Sequence, residues 1–288
     1  MAISASQVKQ LRDKTGAGMM DCKKALTEAD GDFDKAIEIL RKKGASVAAK
    51  RADRAANEGL VKTEINGDDS KGVILEVNCE TDFVAKSDDF TNFADSVMKV
   101  VVEKEPKDKD ELMEQNMNGA NVSDELTNII GKIGEKIEIS RFAIEKPKNG
   151  LVVDYIHHGS KLGVLIVAEN VDSGKEEFKN TLKEIAMQVA AMNPSYVKRE
   201  DVPQDVLDKE KEIYKEVAAK EGKPEHVLDR IAEGKLNKFY EENCLLEQAF
   251  VKDNSKTVGE LIKEFNEKNS SNAEIRLFHR YHLSDENK

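Results

Sequence analysis

The sequence predicts an α+β fold, and three observations carry that prediction. Residues 1–55 keep a helical period. Two later stretches of strand period, each followed by an amphipathic helix, repeat at one constant spacing. Residues 204–243 return to helical period with charge on most faces.

The first 55 residues predict three short helices. Ser4-Ala5-Ser6-Gln7 has the form of a capping box, with Val8, Leu11 and Thr15 following on one face. Gly16-Ala17-Gly18 stops that helix. Met19, Cys22, Leu26 and Ala29 stripe a second, which ends near Gly31. Asp32 can cap a third, striped by Phe33, Ala36, Ile37 and Leu40. Arg41, Lys42, Lys43 and then Gly44 read as its C-terminal end, because basic side chains suit the negative end of a helix dipole and Gly suits the exit. Ala45–Ala56 is expected to be a helical connector carrying Lys50, Arg51 and Arg54.

After residue 56 the period changes. Leu60–Ile65 and Gly72–Val77 predict strands joined through Asn66-Gly67, a strong turn signal. Leu151–Ile156 and Gly163–Ala168 predict a second pair. The pairs align position by position: Leu60 with Leu151, Ile65 with Ile156, Gly72 with Gly163, Leu75 with Ile166. A helix follows each pair, at Asp88–Val102 and at Glu176–Met192. This is an internal duplication of a strand–strand–helix unit. Helical pattern at Lys109–Asn118 and Ser123–Ile133 and a strand at Lys136–Ile144 complete the first half; Lys146–Gly150 marks the boundary.

Residues 204–243 predict two antiparallel helices of about 16 residues, each about 24 Å long. Val206, Ile213 and Val217 form one narrow stripe; Leu228, Ala232, Leu236 and Phe239 form another. Gly222 and Pro224 punctuate the turn between them. Such a hairpin should project into solvent and pack mainly on itself. Core-like pattern then resumes, with a helix at Thr257–Phe265 and a strand at Ala273–Leu283. The expected domains are 1–55, 56–146, 147–203 with 244–288, and an inserted hairpin at 204–243.

Composition narrows function. The 288 residues carry 45 Lys and Arg against 56 Asp and Glu, a formal net charge of −11, which argues against generic nucleic-acid binding. No apolar run reaches the roughly 18–20 residues of a membrane span. Met1-Ala2-Ile3-Ser4 leads straight into helical pattern without a signal core, so a cytoplasmic chain is expected. Cys22, Cys79 and Cys244 are odd in number and far apart, which excludes a disulfide framework and a CxxC zinc site. No P-loop, GxGxxG, HExxH or GxSxG motif is present, and no carboxylate pair stands out as catalytic. Neither a cofactor nor a metal is called for, and a multi-domain interaction protein fits better than an enzyme.

The two repeats disagree in two loops. The first strand pair runs into Asn78-Cys79-Glu80-Thr81-Asp82-Phe83-Val84-Ala85-Lys86; the second runs into Asn170-Val171-Asp172-Ser173-Gly174-Lys175. One copy carries an acid and an aromatic where the other has turn residues. Phe83 either packs down on its own helix or is presented as a wedge for a partner's pocket, with Asp82 beside it. Asn66-Gly67 aligns with His157-His158, and adjacent histidines on an extended turn diverge too much for a metal site.

The segments Leu11–Leu26 (LRDKTGAGMMDCKKAL) and Glu76–Lys86 (EVNCETDFVAK) resemble the two signatures of the bacterial elongation factor Ts family. His158-Gly159 before a strand, the hairpin, and Ser255-Lys256-Thr257-Val258-Gly259 match in order, so the resemblance covers nearly the whole chain. It implies a guanine-nucleotide exchange factor for the GTPase elongation factor Tu, with an N-terminal ubiquitin-associated-like domain, a duplicated two-subdomain core and a coiled-coil hairpin. Met19 and Met20 match the family's contact positions, as does Val251. Thr81, Asp82, Phe83 and Val84 match the segment that displaces Mg²⁺ from the partner. His158 matches a core position that also touches the partner. Only Ser284–Lys288 follow the last predicted strand, so contacts that some members make from a further C-terminal helix are not expected. Competing readings are a thiol-dependent hydrolase using Cys79 with His157 or His158, a ubiquitin-associated-type adaptor without exchange activity, and a nucleic-acid binder using the basic run Arg41–Arg54. That run lacks interleaved aromatics and reads better as a solvated helix end and connector.

Overall fold

The computed structural model describes residues 3–171 and 174–285. Asp172 and Ser173 of the second connecting loop, and residues 286–288 of the expected tail, lie outside them.

Three helices open the chain. Ser4 caps α1 (Ala5–Thr15) in the reciprocal arrangement with Gln7, and Gly16 ends it at a left-handed φ of 67°. α2 (Met19–Glu28) follows. Asp32 accepts the N–H groups of Asp34 and Lys35 at the head of α3 (Phe33–Arg51). Leu11, Cys22, Leu26 and Ala36 are fully buried among the three.

β1 (Glu58–Ile65) and β2 (Gly72–Cys79) then pair antiparallel. The short α4 (Asp82–Ala85) leads into α5 (Asp88–Lys104). α6 (Lys109–Glu114), a two-residue pair β3 (Asn116–Met117) and β4 (Ala120–Asn121), and α7 (Val122–Ile133) precede β5 (Ile137–Glu145), which pairs with β2. The second half repeats the plan with β6 (Gly150–Ile156), β7 (Leu162–Glu169) and α8 (Lys175–Met192). Two long helices follow, α9 (Gln204–Lys220) and α10 (Glu225–Asn243). β8 (Ala249–Phe250), β9 (Asp253–Thr257) and α11 (Val258–Asn269) lead to β10 (Glu274–His282), which pairs with β7. The main sheets run β1-β2-β5 and β10-β7-β6, all antiparallel. The architecture is α+β, as predicted, and no helix among the described residues is long and apolar enough to cross a membrane.

Each sheet is covered on one face by a helix. Phe90, Ala94, Val97 and Val101 of α5 pack on the first; Phe178, Leu182, Ile185 and Val189 of α8 pack on the second. The other faces meet each other through Val61, Ile74, Val152 and Leu165. β2 is buried along its whole length, and burial on both faces explains its nearly unbroken apolar run. The junction is reciprocal. The Val61 N–H donates to the Ser160 carbonyl at 2.6 Å, and the Val152 N–H donates to the Asp69 carbonyl at 2.9 Å. A Cβ on Gly72 would lie 2.5 Å from Val152, and one on Gly163 would lie 2.6 Å from Val61, so glycine is required at both by close approach.

Three expectations are corrected. Gly44 does not stop the third helix, because α3 runs through it to Arg51. Its missing side chain serves packing instead: a Cβ there would lie 3.1 Å from the Thr127 carbonyl, and one on Gly131 of α7 would lie 2.9 Å from the Gly44 Cα. The helical pattern at Lys109–Asn118 holds only to Glu114, and Asn116–Met117 pairs as β3 instead. Residues 66–71 form the loop expected between β1 and β2, with the Asp69 N–H donating to the Asn66 carbonyl at 3.0 Å across Gly67. In the hairpin, Ile213 and Val217 are 43% and 37% exposed, while Ala218 and Ala232 are buried. On α9 the seam therefore lies one position along from the expected stripe, at Ala218, while on α10 Ala232 is buried on its expected stripe. The small side chains let the helices approach, and Lys215–Asp229 and Lys211–Glu233 pairs flank them.

A candidate partner-docking site

α4 has only four residues, too few to hold itself, so its geometry comes from side chains around it. Thr81 caps it: the Val84 N–H donates to the Thr81 hydroxyl oxygen at 3.4 Å. Thr81 is itself held twice by Glu135, which accepts from the Thr81 N–H at 3.1 Å and from the hydroxyl at 2.8 Å. The Cys79 thiol donates to the Thr81 carbonyl at 3.2 Å. Lys86 donates to Asp82 one turn on at 2.8 Å, and the Ser87 hydroxyl donates to the Val84 carbonyl at 2.8 Å. Val84 and Ala85 face inward against the α5 core. Phe83 faces outward and is 83% exposed, so it does not pack on its own helix. A benzyl group so exposed on a clamped backbone is presented rather than buried.

Glu80, one residue before the cap, is a second anchor. Its carboxylate accepts from Arg51 at 2.7 Å, from Arg54 at 3.0 Å and from the Lys136 N–H at 2.7 Å. Burial pushes the Glu80 carboxyl up, but the Lys136 amide and the two guanidinium groups outweigh it and bring the group down to about 2. Arg51 and Arg54 are thus engaged with the core, not free in solvent as the basic run suggests. The Asp82 carboxyl lies below the usual range, chiefly through its bond to Lys86 and also through the charges of Lys86 and Lys161.

Lys161 brings the second divergent loop close. It pairs with Glu58 at the start of β1 at 2.6 Å and adds its field at Asp82. The His157-His158 turn therefore lies on the same side of the molecule as α4. His158 is exposed on that turn rather than buried in a core, and His157 bonds Tyr155 at 2.9 Å. Met19 and Met20, 57% and 64% exposed, stand at the head of α2 among the three N-terminal helices. Val251, 51% exposed, tips the β8–β9 pair, where its N–H donates to Gln188 of α8 at 3.0 Å. The predicted site residues therefore occupy three surfaces: α4 with the histidine turn, the head of α2, and the tip beside α8.

Cys79 is fully buried, and burial, with Glu135 nearby, pushes its thiol up to about 12. A nucleophilic cysteine needs the opposite shift, so the hydrolase reading loses its reactive group. Sequence reasoning missed Glu80, Glu135, Arg51 and Lys161 as site-builders. Glu80 lies within the Glu76–Lys86 segment, where a signal is present; Glu135 carries no local signal, because its partner is 54 positions away.

Comparisons with known proteins place the chain among relatives of one name. The family model described as Elongation factor TS matches residues 80–285. The chain is 47% identical over 287 residues to elongation factor Ts of Chloroherpeton thalassium, spanning 98% of this chain and 99% of that one. It is 49% identical over 263 residues to elongation factor Ts of Christiangramia forsetii (91% and 93%). It is 46% identical over 281 residues to that of Clostridium botulinum strain Alaska E43 (97% and 92%). With one family model over most of its length and full-length relatives of the same name, the chain belongs to the elongation factor Ts family.

Proposed function

We propose that the chain is a guanine-nucleotide exchange factor for elongation factor Tu, acting in the cytoplasm during translation elongation. It binds the GDP-loaded GTPase, dislodges Mg²⁺ and promotes GDP release so that GTP can rebind. The observation that carries this reading is Phe83, 83% exposed on a helix fixed by Thr81, Glu135 and Lys86. A GTPase holds its nucleotide with backbone amides, a lysine and Mg²⁺ around the phosphates. An aromatic wedge pushed between elements beside that cradle disturbs the metal's coordination and loosens the phosphates. Thr81 and Val84 hold the wedge from below. Asp82, ionised and paired with Lys86, keeps the short helix closed.

Linkage sets the scale. If factor binding weakens GDP binding, GDP weakens factor binding equally. A thousandfold effect needs about 4 kcal/mol of coupling. Burying one phenylalanine supplies about 1.5–3 kcal/mol. Other footholds must supply the rest. The N-terminal unit, residues 1–55, is read as a ubiquitin-associated-like domain that docks through Met19 and Met20. His158 and Val251 serve as contacts on the two-subdomain core (56–146; 147–203 with 244–288), and residues 204–243 form a coiled-coil insertion.

The test is direct. Elongation factor Tu loaded with fluorescent GDP is mixed with the factor in stopped flow, and fast release is expected. Phe83→Ala should slow release about ten- to a hundredfold, the cost of leaving that ring unburied in the complex. Release at the wild-type rate would refute the wedge. Binding without any release by the wild-type chain would favour an adaptor.

A further inference from the structure

We propose that Glu80 is a positioning residue that locks the N-terminal three-helix unit and the Phe83-bearing α4 into one rigid body, so that Met19, Met20 and Phe83 meet a partner at a set separation. The inference rests on the exchange reading for its purpose, but its physical basis lies within the free chain.

The second half of α3 lies on the core, with Val47 and Ala48 packed against it between two tighter holds. At one, Gly44 meets Gly131 of α7 at backbone contact, where a Cβ on Gly131 would lie 2.9 Å from the Gly44 Cα. At the other, Arg51 closes α3 and donates to Glu80 at 2.7 Å, with Arg54 adding a second arm at 3.0 Å. Residues 44 and 51 are two helical turns apart, about 10 Å along the axis. One contact would leave the helix free to pivot; two spaced along it fix tilt as well as position. The same carboxylate accepts the Lys136 N–H at 2.7 Å, and the residues beside that pair, Thr81 and Glu135, bond each other. A shift of α3 is thus transmitted to the cap of α4 through a chain of charge-assisted hydrogen bonds. At 15% exposure, the Glu80 side chain is screened far less than the pairs on open faces, such as Lys42–Glu38.

Rigidity matters because the footholds are separate. Two surfaces on one rigid body bind with the second contact effectively intramolecular; a hinge between them dilutes that advantage. Loss of Glu80 should therefore raise the concentration of factor needed for half-maximal exchange, while the rate at saturation, set by Phe83, survives.

The test uses the full chain with spin labels on Lys9→Cys in α1 and Lys99→Cys in α5, both exposed positions; Cys22, Cys79 and Cys244 are buried and should stay unlabelled. Double electron–electron resonance should give one narrow distance peak. Glu80→Gln should broaden it, as should Arg51→Ala with Arg54→Ala, which keeps Glu80 bonded to Lys136 should the first variant fold poorly. Arg51→Lys with Arg54→Lys should restore the narrow peak. In stopped flow with GDP-loaded elongation factor Tu, Glu80→Gln should raise the half-maximal concentration about tenfold with the plateau unchanged. An unchanged narrow peak in both charge-removing variants overturns the rigid-body proposal whatever the exchange assay shows. A broadened peak with an unchanged half-maximal concentration overturns its role in docking. Failure of Phe83→Ala to slow release would instead overturn the exchange reading and leave the distance result standing.

Discussion

Val61 and Val152 occupy equivalent places in the two strand pairs, and each rests against the glycine of the other pair, Gly163 and Gly72. Their N–H groups donate to equivalent turn carbonyls of the opposite half, and Thr63 donates to Asp154, its own counterpart, at 2.5 Å. A few residues on, the halves part. β2 passes into a clamped helix that presents Phe83; β7 passes through Asn170, at a left-handed φ of 58°, and Gly174 into α8. The lesson is where sameness is enforced. Facing surfaces must fill each other at near-crystalline density, so a change on one side demands a matching change on the other. A connection that faces water carries no such demand and can be turned to another use.

The largest expected effect comes from breaking the reciprocal contact. Gly72→Ala should destabilise the chain by about 3 kcal/mol in urea unfolding, because the new methyl meets Val152 and Leu165. Gly163→Ala should cost a similar amount, and Val152→Ala should recover part of the Gly72→Ala loss. Unequal losses would show that the two halves do not share one packing constraint. Phe83→Ala sharpens the contrast from the other side. It should slow GDP release as stated above, yet leave unfolding within about 0.5 kcal/mol of wild type, since the ring is already in water.

Glu135→Gln should act between these extremes. Thr81 loses a charged acceptor, worth about 1 kcal/mol locally. The Thr81 amide should exchange its hydrogen faster by NMR, with amides of the second half unchanged. A pH dependence tests the same clamp from another side. Glu80 faces Arg51, Arg54 and the Lys136 amide, with Glu135 one residue beyond through Thr81. Its carboxyl is lowered from an ordinary 4.5 to about 2. Its stabilising contribution is therefore complete above about pH 4.5 and is lost as pH falls toward 2. The stability difference between wild type and Glu80→Gln should be constant from pH 8 to 5 and shrink below about 4.5. A gap that instead widened in acid would contradict the Glu80 clamp.

Much of the fold was legible because its signals are local. The strand pairs, the helices after them and the two helices of the hairpin were all visible in two- and 3.6-residue periods. The departures have a common cause. Gly44 looks like punctuation, and its neighbour in space, α7, overrode it. On α9 the stripe of Ile213 and Val217 is more apolar than one containing Ala218, yet the smaller side chain permits the closer approach and lies in the seam. Among site residues, the motif marks Phe83, but the same local sequence is compatible with packing inward and with presentation outward.

By itself the amino-acid order determined where helices and strands form, that the halves are copies, and which loop departs from the copy; each depends on residues a few positions apart. The tertiary structure alone decided that Phe83 points outward, that Gly44 is a contact, and that Glu80 and Glu135 hold the presented helix. Those outcomes join positions from 26 residues apart, as with Arg54 and Glu80, to 87, as with Gly44 and Gly131. Such pairings are selected by which surfaces bury together and which charges are drawn out of water, and no short window of sequence contains both members.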